Sequence, residues 1–167
     1  MLSIFKRTKT LTFNKYVNYV SNHLPQACAE IKGGKDYPLI SGKVSFFDTS
    51  DGVLVLSEIN NLPPNETGGF FAMHIHSGDS CRLDENGNYL ESVHYNPQNY
   101  YHPSHAGDLP VILSNNGESF SLVLTKRFKV NQIIGLTVLI HKDADDFRTQ
   151  PSGNSGTKIA CGVITNS

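Results

Sequence analysis

Two histidines one residue apart, His74-Ile75-His76, constrain this 167-residue chain more than any other feature. The segment from Gly69 to His76 reads as a β-strand. Side chains alternate across a strand, so both imidazoles share one face and Ile75 takes the other. Four more histidines and an aspartate extend the pattern: His94, His102, His105 with Asp108, and His141. Only His23 of the seven histidines lies outside it. A single histidine is most often a surface or satisfied core residue. Six together with an aspartate have the ligand types of a metal site.

The pattern divides into two overlapping sets. His74 and His76 are a pre-oriented half-site. His141 ends a different apolar strand and can approach the same face, and His94 can supply a fourth nitrogen. Four imidazoles favour copper or zinc over magnesium or calcium. His102, His105 and Asp108 remain, spaced by three and three. A structural zinc site normally takes four donors, and His94 is the nearest candidate for the fourth. It would then serve two ions, one on each ring nitrogen, as an imidazolate. That double use makes the loop a metal-ordered element.

The surrounding texture is β. Leu39 to Phe47, Val53 to Ile59, Ser119 to Leu124, Leu136 to His141 and Lys158 to Ile164 read as strands, with an Asp48-Thr49-Ser50-Asp51-Gly52 turn cluster after the first. Short strands with turns between them predict an all-β sandwich or barrel. Two long polar stretches, Ser77 to Leu109 and Lys142 to Gly156, carry or adjoin the metal candidates and read as functional loops. Residues 1–24 differ. Phe13, Tyr16, Val17, Val20 and Leu24 recur at helical spacing after a Thr12 cap, and Pro25 closes the segment. The expected organisation is a short amino-terminal helix or arm over 1–24 and one β-domain over 25–167, a size that carries one core.

A hydrophobic content of 38% and a net charge of −1 give no sign of disorder, nucleic-acid binding or membrane insertion. Lys6, Arg7 and Lys9 are followed by no apolar stretch before Asn14, so the h-region of a secretory signal is missing and the expected location is cytoplasmic. Three cysteines, Cys28, Cys81 and Cys161, allow one disulfide and leave the pair open.

From about residue 26 to 166 the chain resembles copper/zinc superoxide dismutase. The resemblance lies in Gly69-Phe70-Phe71-Ala72-Met73-His74-Ile75-His76-Ser77-Gly78-Asp79, His94-Tyr95-Asn96-Pro97, His105-Ala106-Gly107-Asp108-Leu109, Val138 to Asp146, and Gly153 to Ile164, in the family's order. It implies a Greek-key β-sandwich or barrel. It also implies copper at His74, His76, His94 and His141, and zinc at His94, His102, His105 and Asp108. Asp145 matches the aspartate that joins a copper histidine to a zinc histidine through their outer nitrogens. Cys81 and Cys161 match the family's disulfide, leaving Cys28 as the free thiol, expected buried in the first strand. The implied activity is disproportionation of superoxide to oxygen and hydrogen peroxide. His94 would carry a proton and Lys158 would supply a cation beside the copper.

The chain departs from the family in several places. Lys158 stands where the family has arginine, a mobile point charge in place of a planar fork; impaired but surviving turnover is the expectation. His102 and His105 are unusually close in sequence. The segment Phe147 to Ser152 is short and carries only Arg148, so steering of the anion should be weak. The amino-terminal arm has no counterpart in the common form. Lys158 and the short steering segment keep a second reading open, a non-catalytic copper/zinc buffer or delivery protein; a third, a β-sandwich binding zinc alone, is opposed by the complete ligand set. A monomer and a homodimer fit the sequence equally.

Overall fold

The computed structural model describes residues 11–90 and 92–167, with side chains from Asn14 onward. Among the described residues, nine strands follow one α-helix, α1 (Leu11–Asn22). They are β1 (Ala27–Gly33), β2 (Ser41–Thr49), β3 (Gly52–Asn60), β4 (Phe70–Phe71), β5 (Met73–His76), β6 (Ile112–Leu113), β7 (Ser119–Thr125), β8 (Thr137–His141) and β9 (Lys158–Asn166). Seven of them make one antiparallel sheet in the order β5-β8-β9-β1-β2-β3-β7, and β4 pairs with β6. The neighbours that are distant in sequence, β5–β8, β9–β1 and β3–β7, are the crossovers of an all-β Greek-key fold, the fold that the family resemblance implies.

Alternation decides what faces the core. Met73 and Ile75 of β5, Val138 and Ile140 of β8, and Val53 and Val55 of β3 join one buried apolar cluster with Ile31, Phe46 and Phe71. Each such side chain contributes about 1.5–3 kcal/mol by leaving water. His74 and His76 therefore project from the other face of β5, as does His141 from β8. A smaller cluster of Tyr89, Leu139 and Cys161 lies on that outer face. The metal candidates thus sit outside the sheet, under the long loop, and not within the apolar core.

Between β8 and β9 the register shifts after Ile140. Ile140 is opposite Ala160, and His141 is opposite Lys158. Ile159 is the extra residue of this bulge, and it points into the core with 1% exposure. The bulge re-aims the strand end and puts Lys158 on the same face as His141. Period-two counting from Cys161 alone would not have placed it there.

Several expectations are corrected. The predicted strand from Gly69 to His76 breaks at Ala72. There the N–H donates to Asp143 O and the carbonyl accepts from His141 N–H, each at 2.9 Å, so Phe70–Phe71 pair instead with Ile112–Leu113. Leu39 is 76% exposed and precedes β2, and Leu24 is 85% exposed and lies beyond α1. Thr12 lies within α1. Cys28 is in β1 but only partly buried.

Helix α1 is tied to the β2–β3 hairpin. Lys15 pairs with Asp51, Tyr16 OH donates to Asp51 Oδ2 at 2.9 Å, and Tyr19 OH donates to Asp48 O at 2.9 Å. Phe47 and Leu54 point away from the main core yet are 2% and 1% exposed. No helix among the described residues is long and apolar enough to cross a membrane.

Candidate metal centre

The long loop reaches the histidines of β5 by pairing with that strand's open edge. An exposed edge has free backbone donors and acceptors. Ile75 N–H donates to Gly107 O at 2.9 Å, Tyr95 N–H donates to Ile75 O at 2.8 Å, and Gly107 N–H donates to Tyr95 O at 2.8 Å. Single-residue bridges form beside this knot, His74 opposite Asp108 and His76 opposite His94. A Cβ on Gly107 would lie 2.2 Å from Ile75 O, so only glycine permits the approach. Two peptide groups of one strand thus set the positions of two loop ligands.

Two groups of donors result. His74, His76, His94 and His141 offer ligand atoms within 4.8 Å of one another, and so do His94, His102, His105 and Asp108. All seven residues are buried. In the second group, Asp108 Oδ1 lies 2.6 Å from His94 Nδ1 and 3.2 Å from His105 Nδ1. His102 Nδ1 stands 3.2 Å from Asp108 Oδ2 without the alignment of a hydrogen bond. In the first group, His76 Nε2 and His141 Nε2 are 3.3 Å apart. The short spacing of His102 and His105 does not prevent both from joining.

The ring orientations are fixed from behind. His74 Nε2–H donates to Asp145 Oδ2 at 2.8 Å, and His102 Nε2–H donates to Asp145 Oδ1 at 2.9 Å. His76 Nδ1–H donates to Ser92 O at 3.0 Å and His141 Nδ1–H to Gly156 O at 3.3 Å. Each bond occupies one nitrogen and leaves the other as a lone pair aimed inward, which is how outer partners orient metal-binding histidines. Asp145 therefore links a ring of the first group to a ring of the second. Its space depends on Gly153, whose added Cβ would meet Asp145 Oδ1 at 1.9 Å.

Unsatisfied atoms test whether ions fit. His74 Nδ1, His94 Nε2 and His102 Nδ1 are buried and have no hydrogen-bond partner among the described residues. A buried lone pair left so costs about 1–3 kcal/mol. Three of them converge on the two clusters, and a cation in each group resolves them. The nitrogen set with one carboxylate suits zinc and the all-imidazole set suits copper, so the residues fit both ions.

Protonation favours the same state. Burial, reinforced by the charge of His74, pushes His141 down to about 3. Burial also depresses His76, with His141 and His94 adding to it, and depresses His74 against the pull of Asp145. These three rings are neutral at pH 7, as ligation requires. Burial alone would raise Asp145, but the bonds from His74, Phe147 N–H and His102 together outweigh it and hold the carboxyl at about 2. Asp108 is likewise lowered, burial being overcome by the bond from His94 and the neighbouring imidazoles.

A cleft of about 970 Å³ opens on His76, His94, His141 and Lys158. Lys158 Nζ donates to Leu90 O at 3.1 Å. Cys81 and Cys161 form a disulfide that ties the same loop to β9. Two further residues brace the site and escape sequence reasoning. Arg127 Nη1 lies 2.9, 3.1 and 3.0 Å from the carbonyl oxygens of Pro103, His105 and Asp108. Gln150 bonds both backbone groups of His102. Neither carries a signal in the sequence, since each acts on main-chain atoms brought near only by folding.

Comparison with known proteins agrees with this geometry. A family model described as copper/zinc superoxide dismutase (SODC) matches residues 40–164. A superoxide dismutase [Cu-Zn] of Legionella pneumophila is 36% identical over 135 residues, covering 76% of this chain and 79% of that protein. Superoxide dismutase [Cu-Zn] 1 of Aquifex aeolicus is 33% identical over 140 residues, covering 74% and 79%. A superoxide dismutase [Cu-Zn] of Paramecium bursaria Chlorella virus 1 is 28% identical over 185 residues, covering 98% of this chain and 86% of that protein. The chain belongs to the copper/zinc superoxide dismutase family.

Proposed function

We propose that the protein converts superoxide to oxygen and hydrogen peroxide, with copper held by His74, His76, His94 and His141, and zinc by His94, His102, His105 and Asp108. In this reading residues 25–167 are the dismutase unit and the arm over 1–24 is an addition. The observation that carries it is His94. Its Nδ1 lies among the second group of donors, while its Nε2 is buried without a partner beside the first. That arrangement supports one ring serving two ions.

Copper supplies one-electron transfer in both directions when bound, and zinc, which has no redox chemistry, does not. The chain supplies the rest. Two superoxide anions and two protons give one oxygen and one hydrogen peroxide. With Nδ1 of His94 among the donors that would hold zinc, Nε2 is the atom that would take up one proton and pass it to the reduced dioxygen, the second proton coming from water. Asp145 keeps His74 and His102 from rotating. Lys158, on the cleft wall, attracts the anion and offsets its charge as it approaches.

A second reading, a copper/zinc buffer or delivery protein, is favoured by Lys158, which cannot offer the two-pronged contact of arginine. One experiment separates the two. The protein is loaded with both metals, the metals are counted, and superoxide decay is followed directly. Catalysis that disappears on copper removal and in His141→Ala supports the enzyme. Two bound metals with decay no faster than in buffer would leave the storage role.

A further inference from the structure

We propose that Gln150 is a positioning residue for zinc, acting by clamping the main chain of His102. This rests on the reading of His94, His102, His105 and Asp108 as the zinc group. The Gln150 side chain makes two bonds to a single residue. Its Oε1 accepts from His102 N–H at 3.0 Å, and its Nε2 donates to His102 O at 2.7 Å. This is the two-bond exchange of an antiparallel backbone pair, made by an amide side chain. It fixes the peptide groups on both sides of His102 in position and tilt, and so fixes where the Cα–Cβ bond points.

His102 needs such help. It lies outside any strand, in the stretch between Tyr95 and Gly107 that the edge of β5 does not reach. Arg127 braces the carbonyls of Pro103, His105 and Asp108 but not that of His102. The clamp comes from the β8–β9 loop, the loop that also supplies Asp145 to His102 Nε2. One loop thus orients both the ring and the backbone of the same ligand.

The turn that presents Gln150 is itself braced. Asp146 accepts from Arg148 N–H and Thr149 N–H, each at 2.8 Å, and Gly153 N–H donates to Thr149 O at 2.7 Å. Gln150 is exposed while His102 is 4% exposed. Water competes for the clamp, so its effect belongs at the lower end of the 10–100-fold range for outer partners of metal ligands. Exposure also means that replacing Gln150 removes no core packing.

The test uses the full-length protein, with cobalt(II) as an absorbing substitute for zinc and a competing chelator. Gln150→Ala and Gln150→Met are compared with the parent and with His102→Ala. The methionine matches glutamine in length and has neither amide bond. Both Gln150 variants should weaken cobalt and zinc binding about tenfold, alter the cobalt visible spectrum, and leave copper affinity and the melting temperature of the metal-free protein unchanged. Parent-like affinity in Gln150→Met would reduce the clamp to packing and overturn the proposal. So would equal losses of both metals together with a lower metal-free melting temperature. If His102→Ala weakens zinc binding and the Gln150 variants do not, the clamp alone fails. If His102→Ala has no effect, the ligand assignment beneath it fails as well.

Discussion

Removing the disulfide should destabilise the protein by an amount set by the loop it closes. Cys81 and Cys161 are 80 residues apart. In the chain-entropy account, closing a loop of that length restricts the unfolded chain by about 4.5 kcal/mol at 25 °C. For a chain of this size each kcal/mol moves the melting temperature by about 2–4 °C. Cys81→Ala with Cys161→Ala should therefore melt about 9–18 °C lower than the parent. Native-state effects add locally. Cys161 packs with Tyr89 and Leu139, and the tethered loop carries Leu90, whose carbonyl holds Lys158. The double variant should thus lose superoxide turnover at temperatures where it is still folded. Calorimetry of metal-free and loaded protein gives the first number, and rapid-mixing decay of superoxide gives the second. A melting temperature within about 3 °C of the parent would refute the entropic argument. Unchanged turnover would refute the link through Leu90.

Lys158→Ala should lower the superoxide rate about tenfold at low salt with metal content unchanged, and added salt should narrow the gap. Lys158→Arg should raise the rate above the parent, because a guanidinium presents two donors in fixed geometry. An unmoved rate in both would remove Lys158 from the account. Asp145→Asn can no longer accept from both His74 and His102, so zinc affinity should fall about 10–100-fold, read by chelator competition. The metal-free protein should lose stability on acidification in two stages. His141 is depressed from its ordinary value to about 3, and His76 and His74 are depressed in the same direction, so the unfolded chain binds extra protons and stability falls from about pH 6.5 downward, the His141 share being lost by about pH 3. Asp145, held at about 2, adds stability that is complete above its ordinary value and is lost as pH falls from about 4 to 2. Each group contributes a slope of about 1.4 kcal/mol per pH unit within its window. Denaturant titrations at stepped pH would show it, and a flat profile between pH 6 and 4 would contradict it.

How much of this was legible in the sequence depends on which force set each feature. His74 and His76 share one face by strand alternation, with Met73 and Ile75 in the core on the other. The donor groups were readable because ligand chemistry limits the residue types. Whatever depends on backbone pairing across long distances was not readable. The break at Ala72 arises from its exchange with Asp143 and His141, more than 65 residues on. The bulge at Ile159 arises from the mismatch between β8 and β9, and it alone sets Lys158 opposite His141. Gln150 and Arg127 act on carbonyls and amides, groups that every residue has, so no pattern of side chains announces them. Cys28 was expected to be buried because cysteine usually is. It lies on the outer face of β1, where burial is incomplete.

The most direct measurement of the central claim is magnetic. Copper(II) is placed in the site of His74, His76 and His141, with cobalt(II) in that of His102, His105 and Asp108. The copper resonance is then recorded before and after cobalt is added. A ring shared through both nitrogens of His94 should couple the two ions and suppress the copper signal in proportion to cobalt bound. A full copper signal beside fully bound cobalt would mean two separate centres, and the bridging role of His94 would be wrong.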